Sequence, residues 1–379
     1  MNLGMFLMPL AMPGQSLGET MDELTRKACF LEETGFDEFW LGEHFAATSE
    51  PVPSPLAFLS SLVPQTKRLT LGTGVISLPN RHPAVIAAEV AQIDHLSKGR
   101  FRFGIGTGSL PPDWELFKLE DEDTRKRMML ESIDMIQKIW RSGPPYEFNG
   151  EFWKFGVAKS VNAELRMGFM PTPREPAGPP IHVSIATPMS STSALAGERG
   201  WGPLSSSLLM TDGIARHWAG YSNGLAKAGR PVNGDNWRVV RVALVAPSDA
   251  EAERRLHHAE GAVGFYFRYI HKVLANAGKL AAMKTRPDMA DSEVDVAAAM
   301  NARVIRGSAK SVRDQLIDLR DKAGPFEHLL IAGMPWNGVN EEWERESLTL
   351  LAREVMPAVR AHYSAPAKHA AQWDRSLRQ

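Results

Sequence analysis

Leu69-Thr70-Leu71-Gly72-Thr73-Gly74-Val75 is a short apolar, β-branched run, and residues 84–96 read as a helix that stops at Gly99. Arg100-Phe101-Arg102-Phe103-Gly104-Ile105 is then a second strand-like run. Strand, helix, strand is the order of a βαβ unit, whose strands lie parallel. Toward the N-terminus, residues 3–8 form a strand closed by Pro9, and 17–34 a helix stopped by Gly35. Residues 36–41 form a strand followed by Gly42, and 57–65 an apolar helix. Strand and helix thus alternate four times before Gly106. That spacing suits a doubly wound sheet or a closed barrel, and the continuation decides. A helix at 127–140 is followed by strands at 180–186, 201–205, 237–245 and 326–332, with further helices at 195–199 and 341–353. Eight strand candidates favour an α/β chain folded as a (β/α)8 TIM barrel with insertions on its C-terminal face.

The barrel reads as a single domain over 1–363, with a flexible tail over 364–379. Two stretches are too long for barrel loops: about 141–179, rich in Gly and Pro, and about 250–305. In the first, Tyr146 to Trp153 suggests a hairpin around Asn149-Gly150. Barrel enzymes place covering insertions on the βα side, so both are candidate lids.

Composition narrows the function classes. Of 379 residues, 43 are Lys or Arg and 44 Asp or Glu, a net charge of −1, so no global field draws nucleic acid or an anionic membrane. The one cysteine, Cys29, excludes an intramolecular disulfide framework and reads as a small buried apolar residue. No apolar run is long enough to span a membrane and no signal segment is evident, so a cytoplasmic protein is expected. No His-x-His pair or carboxylate cluster ends a strand, so no metal is expected.

Functional groups of such barrels sit at the carboxyl ends of the strands. After the second strand stands His44, able to serve as acid or base near neutral pH, or simply to pack. After the fourth comes Gly104-Ile105-Gly106-Thr107-Gly108-Ser109, whose glycines would let backbone N–H groups approach an anion. Its position and spacing do not match a dinucleotide fingerprint. After the fifth comes Thr187-Pro188-Met189-Ser190-Ser191-Thr192-Ser193, more hydroxyls than a helix cap requires, at a helix N-terminus that favours anions. Arg125 and Arg127 could add countercharge or face solvent.

Three blocks are similar to the bacterial luciferase-like flavin monooxygenases: Trp40-Leu41-Gly42-Glu43-His44-Phe45; Leu71 to Pro79 with His82-Pro83; and Asp94 to Gly106. The likeness resumes at 181–200 and at Val304-Ile305-Arg306-Gly307-Ser308, and ends with Glu354-Val355-Met356-Pro357. Within that family, Phe148 to Trp153, Leu195 to Arg199 and His217-Trp218 most resemble the diketocamphane monooxygenases, with limonene monooxygenase another relative. The resemblance implies an FMNH2- and O2-dependent monooxygenase of a two-component system, with a separate flavin reductase supplying reduced FMN. It implies a C4a-(hydro)peroxyflavin, a small hydrophobic substrate such as a ketone or terpenoid, and a homodimer. It makes His44 the catalytic residue and places a non-prolyl cis peptide at Gly74-Val75 beneath the flavin. Gly106 stands where luciferase has a reactive cysteine, and Thr107 where it has a phosphate-binding arginine. Both departures argue against light emission. They shift the phosphate's countercharge to Arg125 or Arg127 and to Ser190, Ser191 and Thr192, with Gly108 and Ala186 also lining the cofactor. Phe6, Phe45, Trp114, Phe265 and Trp336 are candidate walls of the substrate pocket. The alternatives are an F420-dependent oxidoreductase on the same barrel and a flavin-binding barrel without turnover.

Overall fold

The computed structural model describes residues 1–286 and 288–364. Its centre is a ring of parallel strands: β1 (Asn2–Leu7), β2 (Glu38–Leu41), β3 (Thr70–Thr73), β4 (Phe101–Gly106), β5 (Ile181–Ile185), β6 (Gly202–Ser205), β7 (Arg238–Arg241) and β8 (His328–Ala332). Each strand pairs with the next, and β8 closes on β1 with Asn2 opposite His328. Between β3 and β4 the ladder runs through Leu71 and Gly72, and resumes at Ile76 opposite Ile105 past a cis Gly74–Val75 peptide.

Local signals set the helices that wrap the ring. Ser16 and Glu19 form a reciprocal capping box on the Leu17–Thr34 helix, and Gly35 closes it in the left-handed conformation (φ 89°). Helices Thr211–Lys227 and Ala309–Ala323, which the sequence pattern did not mark, complete the outer layer around β6 and β8. Strand alternation sorts side chains into two cores. Phe39, Leu41, Val239, Leu329 and Ile331 pack outward against helices, whereas Trp40, Leu204, Val240 and Leu330 fill the ring. Trp40 fits there because Gly72 carries no Cβ, which would fall 2.4 Å from the indole.

The inner core continues upward into the 250–305 insertion through Val263, Tyr266, Phe267 and Met300. This insertion leaves the carboxyl end of the barrel after β7 and contains helices Asp249–Leu256, Ala262–Asn276 and Val296–Arg303. The strand expected over 237–245 divides: β7 stays in the ring, and Ala243–Val245 turns out to pair with Ile305–Gly307. An apolar run carries no mark of where its chain leaves the barrel.

The 141–179 insertion joins the end of helix Glu122–Arg141 to the start of β5, so it enters from the N-terminal side. Its hairpin, Tyr146–Asn149 against Lys154–Val157, climbs the outer wall until Trp153 meets the ring of His82 (5.1 Å). Residues 150–153 make the turn, the Gly150 N–H donating to the Trp153 carbonyl (2.9 Å) and the Glu131 carboxylate accepting from three successive N–H groups. Cys29 is half-buried rather than buried, its thiol toward Gln65, because Ala28 and Leu31 take the inward face of that helix. Ser364 ends the helix Met356–Ser364, and the rest of the expected tail lies outside the described residues. No helix among the described residues is long and apolar enough to cross a membrane.

Candidate active site

The carboxyl end of β2 delivers Glu43 and His44, both buried. The short helix Pro111–Phe117 after β4 brings Asp113 against the imidazole, its Oδ2 3.0 Å from His44 Nδ1. The other Asp113 oxygen accepts from the Phe45 (3.0 Å) and Ala46 (2.8 Å) N–H groups, fixing the carboxylate to the loop that carries His44. On the far side of the ring, Glu50 Oε2 lies 3.4 Å from His44 Nε2. The imidazole is therefore held between two carboxylates. Burial pulls the His44 pKa down, but the Asp113 hydrogen bond and the charges of Glu50, Asp113 and Glu43 outweigh it and raise it. Burial raises the Glu50 pKa against the pull of His44 and of the Tyr269 hydroxyl. Burial also opposes ionisation of Asp113, yet His44 and the two N–H groups hold that carboxyl below the usual range. Glu43 turns away to Arg81, whose Nε (3.0 Å) and Nη2 (2.8 Å) both donate to Oε2, while Oε1 accepts from the Ser77 N–H.

Beside this constellation the ends of β1, β3 and β4 close up. A Cβ on Gly74 would lie 2.7 Å from the Phe6 ring, and one on Gly106 2.6 Å from the Val75 side chain. Phe6, the cis Gly74–Val75 bond and Gly106 thus form one contiguous surface at the mouth. Phe265, from the insertion, packs on the same inner core. Phe45 lies at the rim, edge-on to Phe117 (5.0 Å) with the Arg81 guanidinium over it (5.1 Å).

Two features favour an anion next to that surface. Ser190 caps helix Ser191–Arg199 by accepting from the Thr192 N–H (3.2 Å), and the Ser191 and Thr192 hydroxyls stand in the first turn of that helix, shortly past Ala186 at the end of β5. Past Thr107 and Gly108, the Arg125 guanidinium (4.1 Å) and the Lys279 ammonium (4.9 Å) both lie over the Trp114 indole. Trp114 Nε1 and Arg125 Nε are both buried without a hydrogen-bond partner. A Cβ on Gly108 would sit 3.6 Å from that indole nitrogen. Buried donors left open beside a glycine loop fit a phosphorylated ligand such as FMN.

Two expected residues stand elsewhere. Arg127 is exposed, paired with Glu151 and lying over Phe152 on the outer wall. Arg125 and Arg127 are two positions apart on one helix, hence on different faces. Trp336 is buried between helices Leu17–Thr34 and Val339–Leu350, against Phe30, Lys27 and Arg345, and donates to Glu344. It belongs to the helix layer rather than the mouth, because the chain turns outward after β8. Conversely, Asp113, Glu50, Lys279 and Tyr269 have no distinguishing sequence signal. Among the described residues no group of three or more His, Cys, Asp or Glu side chains is disposed to hold a metal ion.

The chain is similar to known proteins over most of its length. Residues 1–325 match the family model described as luciferase-like monooxygenase. The chain is 31% identical over 365 residues to 4-hydroxyprotoasukamycin monooxygenase of Streptomyces nodosus subsp. asukaensis, covering 94% of this chain and 91% of the relative. It is 28% identical to limonene 1,2-monooxygenase of Rhodococcus erythropolis over 86% of this chain and 78% of the relative. Its fold superposes with a TM-score of 0.84, at 24% identity, on the oxygenating constituent of 3,6-diketocamphane monooxygenase from Pseudomonas putida, solved with FMN, covering 95% and 98% of the two chains. A match this long over the barrel and the loops at its mouth has one meaning: the chain belongs to the luciferase-like monooxygenases and is a flavin-dependent monooxygenase.

Proposed function

We propose that this chain is the oxygenating component of a two-component system that uses FMNH2, delivered by a separate flavin reductase, and O2 to oxidise a small hydrophobic ketone or terpenoid. When bound, reduced FMN supplies the two electrons and the oxygen chemistry, one oxygen atom entering the substrate and the other leaving as water. The observation that carries this reading is His44, held between Asp113 and Glu50 at the edge of the surface made by Phe6, Gly74–Val75 and Gly106. Gly74, Val75, Gly106 and Ala186 would bear the flavin ring. Thr107, Gly108, Arg125, Ser190, Ser191 and Thr192 would hold the phosphate, and Trp114 Nε1 offers it a further donor. Phe6, Phe45 and Phe265 would wall the substrate, while the inner core and the insertion above it keep water out. His44 would hold or release a proton at Nε2 or Nδ1 at the edge of that surface.

Spectral titration with reduced FMN and with reduced F420 tests the cofactor, saturation by FMN alone being expected. Oxygen uptake with a generic flavin reductase, across ketones, terpenes, aldehydes and amines, tests the reaction. Substrate-dependent uptake above the background is expected with a ketone or terpene; none across the panel rejects the assignment.

A further inference from the structure

The Ala262–Asn276 helix lies across the barrel mouth and is fastened on both sides by tyrosines three positions apart, hence on one face. Tyr266 Oη lies 3.3 Å from Ser207 Oγ, beyond β6. Tyr269 Oη lies 2.9 Å from Ser49 Oγ and donates to Glu50 Oε1 (2.8 Å), beyond β2. Strands β2 and β6 stand on opposite sides of the eight-stranded ring. The Tyr269 tie ends on the carboxylate whose other oxygen faces His44 Nε2 at 3.4 Å. Glu50 Oε2 has no hydrogen-bond partner, so its place beside the imidazole rests on the Tyr269 bond at Oε1 and on burial.

We propose that Glu50 and Tyr269 are positioning residues that couple the helix over the mouth to the protonation of His44. With the helix seated, the Tyr269 hydroxyl holds Glu50 as a carboxylate against Nε2, and His44 keeps a proton between two acids. When the helix lifts, that hydroxyl leaves, Glu50 loses its donor, and His44 gives up its proton more readily. The proton thus stays on His44 while the site is covered and is lost when it opens. Asp113, Glu50 and Glu43 are the acids whose charges reach His44; Asp113, through the Phe45 and Ala46 N–H groups, and Glu43, through Arg81 and the Ser77 N–H, are tied independently of the insertion, whereas Glu50 is not. Arg81 neutralises Glu43, and Tyr266 lies within the field of Glu50. The linkage is conformational and electrostatic, and no oxidant or co-reactant enters it. It rests on the reading above in giving His44 a proton to control.

The test is the NMR titration of His44 in histidine-labelled full-length protein without flavin or substrate, its resonance assigned by loss in His44→Ala. In Glu50→Gln the His44 pKa is expected to fall by about one unit, a tenfold change in its protonation equilibrium. Tyr269→Phe keeps the ring and removes only the hydroxyl, so a smaller fall in the same direction is expected. The double variant should titrate as Glu50→Gln does, because Tyr269 acts through Glu50. A His44 pKa unmoved in either single variant, or additive shifts in the double variant, overturns the proposal. Tyr269→Phe answers the question even if Glu50→Gln fails to fold. The measurement needs no turnover, so the two readings fail separately: absent oxygen uptake with a shifted His44 pKa removes the proposed ketone or terpenoid oxidation and leaves this coupling supported.

Discussion

Each end of this barrel carries a buried histidine–carboxylate network, and the two are finished differently. At the N-terminal end Glu38, the first residue of β2, accepts from Trp40 Nε1 (2.6 Å), from Arg238 Nε and Nη2 (2.8 and 2.9 Å) and from His328 Nδ1. His328 Nε2 is engaged in turn by the Asp235 carbonyl, and Arg238 Nη1 reaches the Asn236 carbonyl and His182. Burial works against ionised Glu38, but Arg238 and His328 hold its carboxyl far below the usual range. At the C-terminal end, His44 has both nitrogens turned to carboxylates, yet Glu50 Oε2, Trp114 Nε1, Arg125 Nε and Asn80 Oδ1 lack partners. The same side-chain chemistry therefore does two things. A network that satisfies nearly all its atoms internally holds the ring shut, and one that leaves buried donors and acceptors open is prepared for something else to complete it.

Substitutions at the two ends should separate these roles. His44→Ala should lower turnover by about 10²- to 10⁴-fold while the urea midpoint moves little. Unchanged turnover, with FMNH2 affinity measured alongside, would remove His44 from the chemistry. Glu38→Ala strips the counterion from Arg238 and His328 and should destabilise the fold by about 3–5 kcal/mol in equilibrium denaturation. Turnover per folded molecule should stay near wild type.

The anion end gives a finer test. Arg125→Ala should weaken FMNH2 binding by about 10- to 100-fold, the value of one charged hydrogen bond. Arg127→Ala should leave it within about twofold, since an exposed pair on the outer wall contributes little. Equal losses in the two would mean that the outer wall takes part in the site.

Acid titration of the wild type against Glu38→Ala probes the N-terminal end. The folded-state pKa of Glu38 is depressed from an ordinary value of 4.5, so its stabilisation is complete above that value and is lost as pH falls through the folded one. Stability of the wild type should decline on acidification below pH 4.5, and Glu38→Ala should decline less steeply over the same range. Parallel curves would show that other carboxylates govern acid unfolding.

Much of the ring was legible because its signals are local. Apolar runs, capping residues and terminating glycines act over a few positions, so 17–34 and 84–96 emerge nearly as observed. Boundaries failed where a signal continued past its element, as in the run 237–245, or where Pro111-Pro112-Asp113 opened a helix with no apolar stripe to announce it. Within the site, position at a strand end sufficed to single out His44, and resemblance pointed to the Gly74–Val75 peptide found cis. Arg125 and Arg127 looked alike in the chain, and only helix geometry turns one inward and the other out.

From sequence alone came the eight strands, most of the helices between them, and the histidine after β2. Tertiary structure alone decided what surrounds that histidine. Asp113 lies 69 positions from His44, and Tyr269 lies 219 from Glu50. No local rule relates residues so far apart; they meet because closing the ring brings every strand's carboxyl end to one rim and lays the insertion after β7 across it.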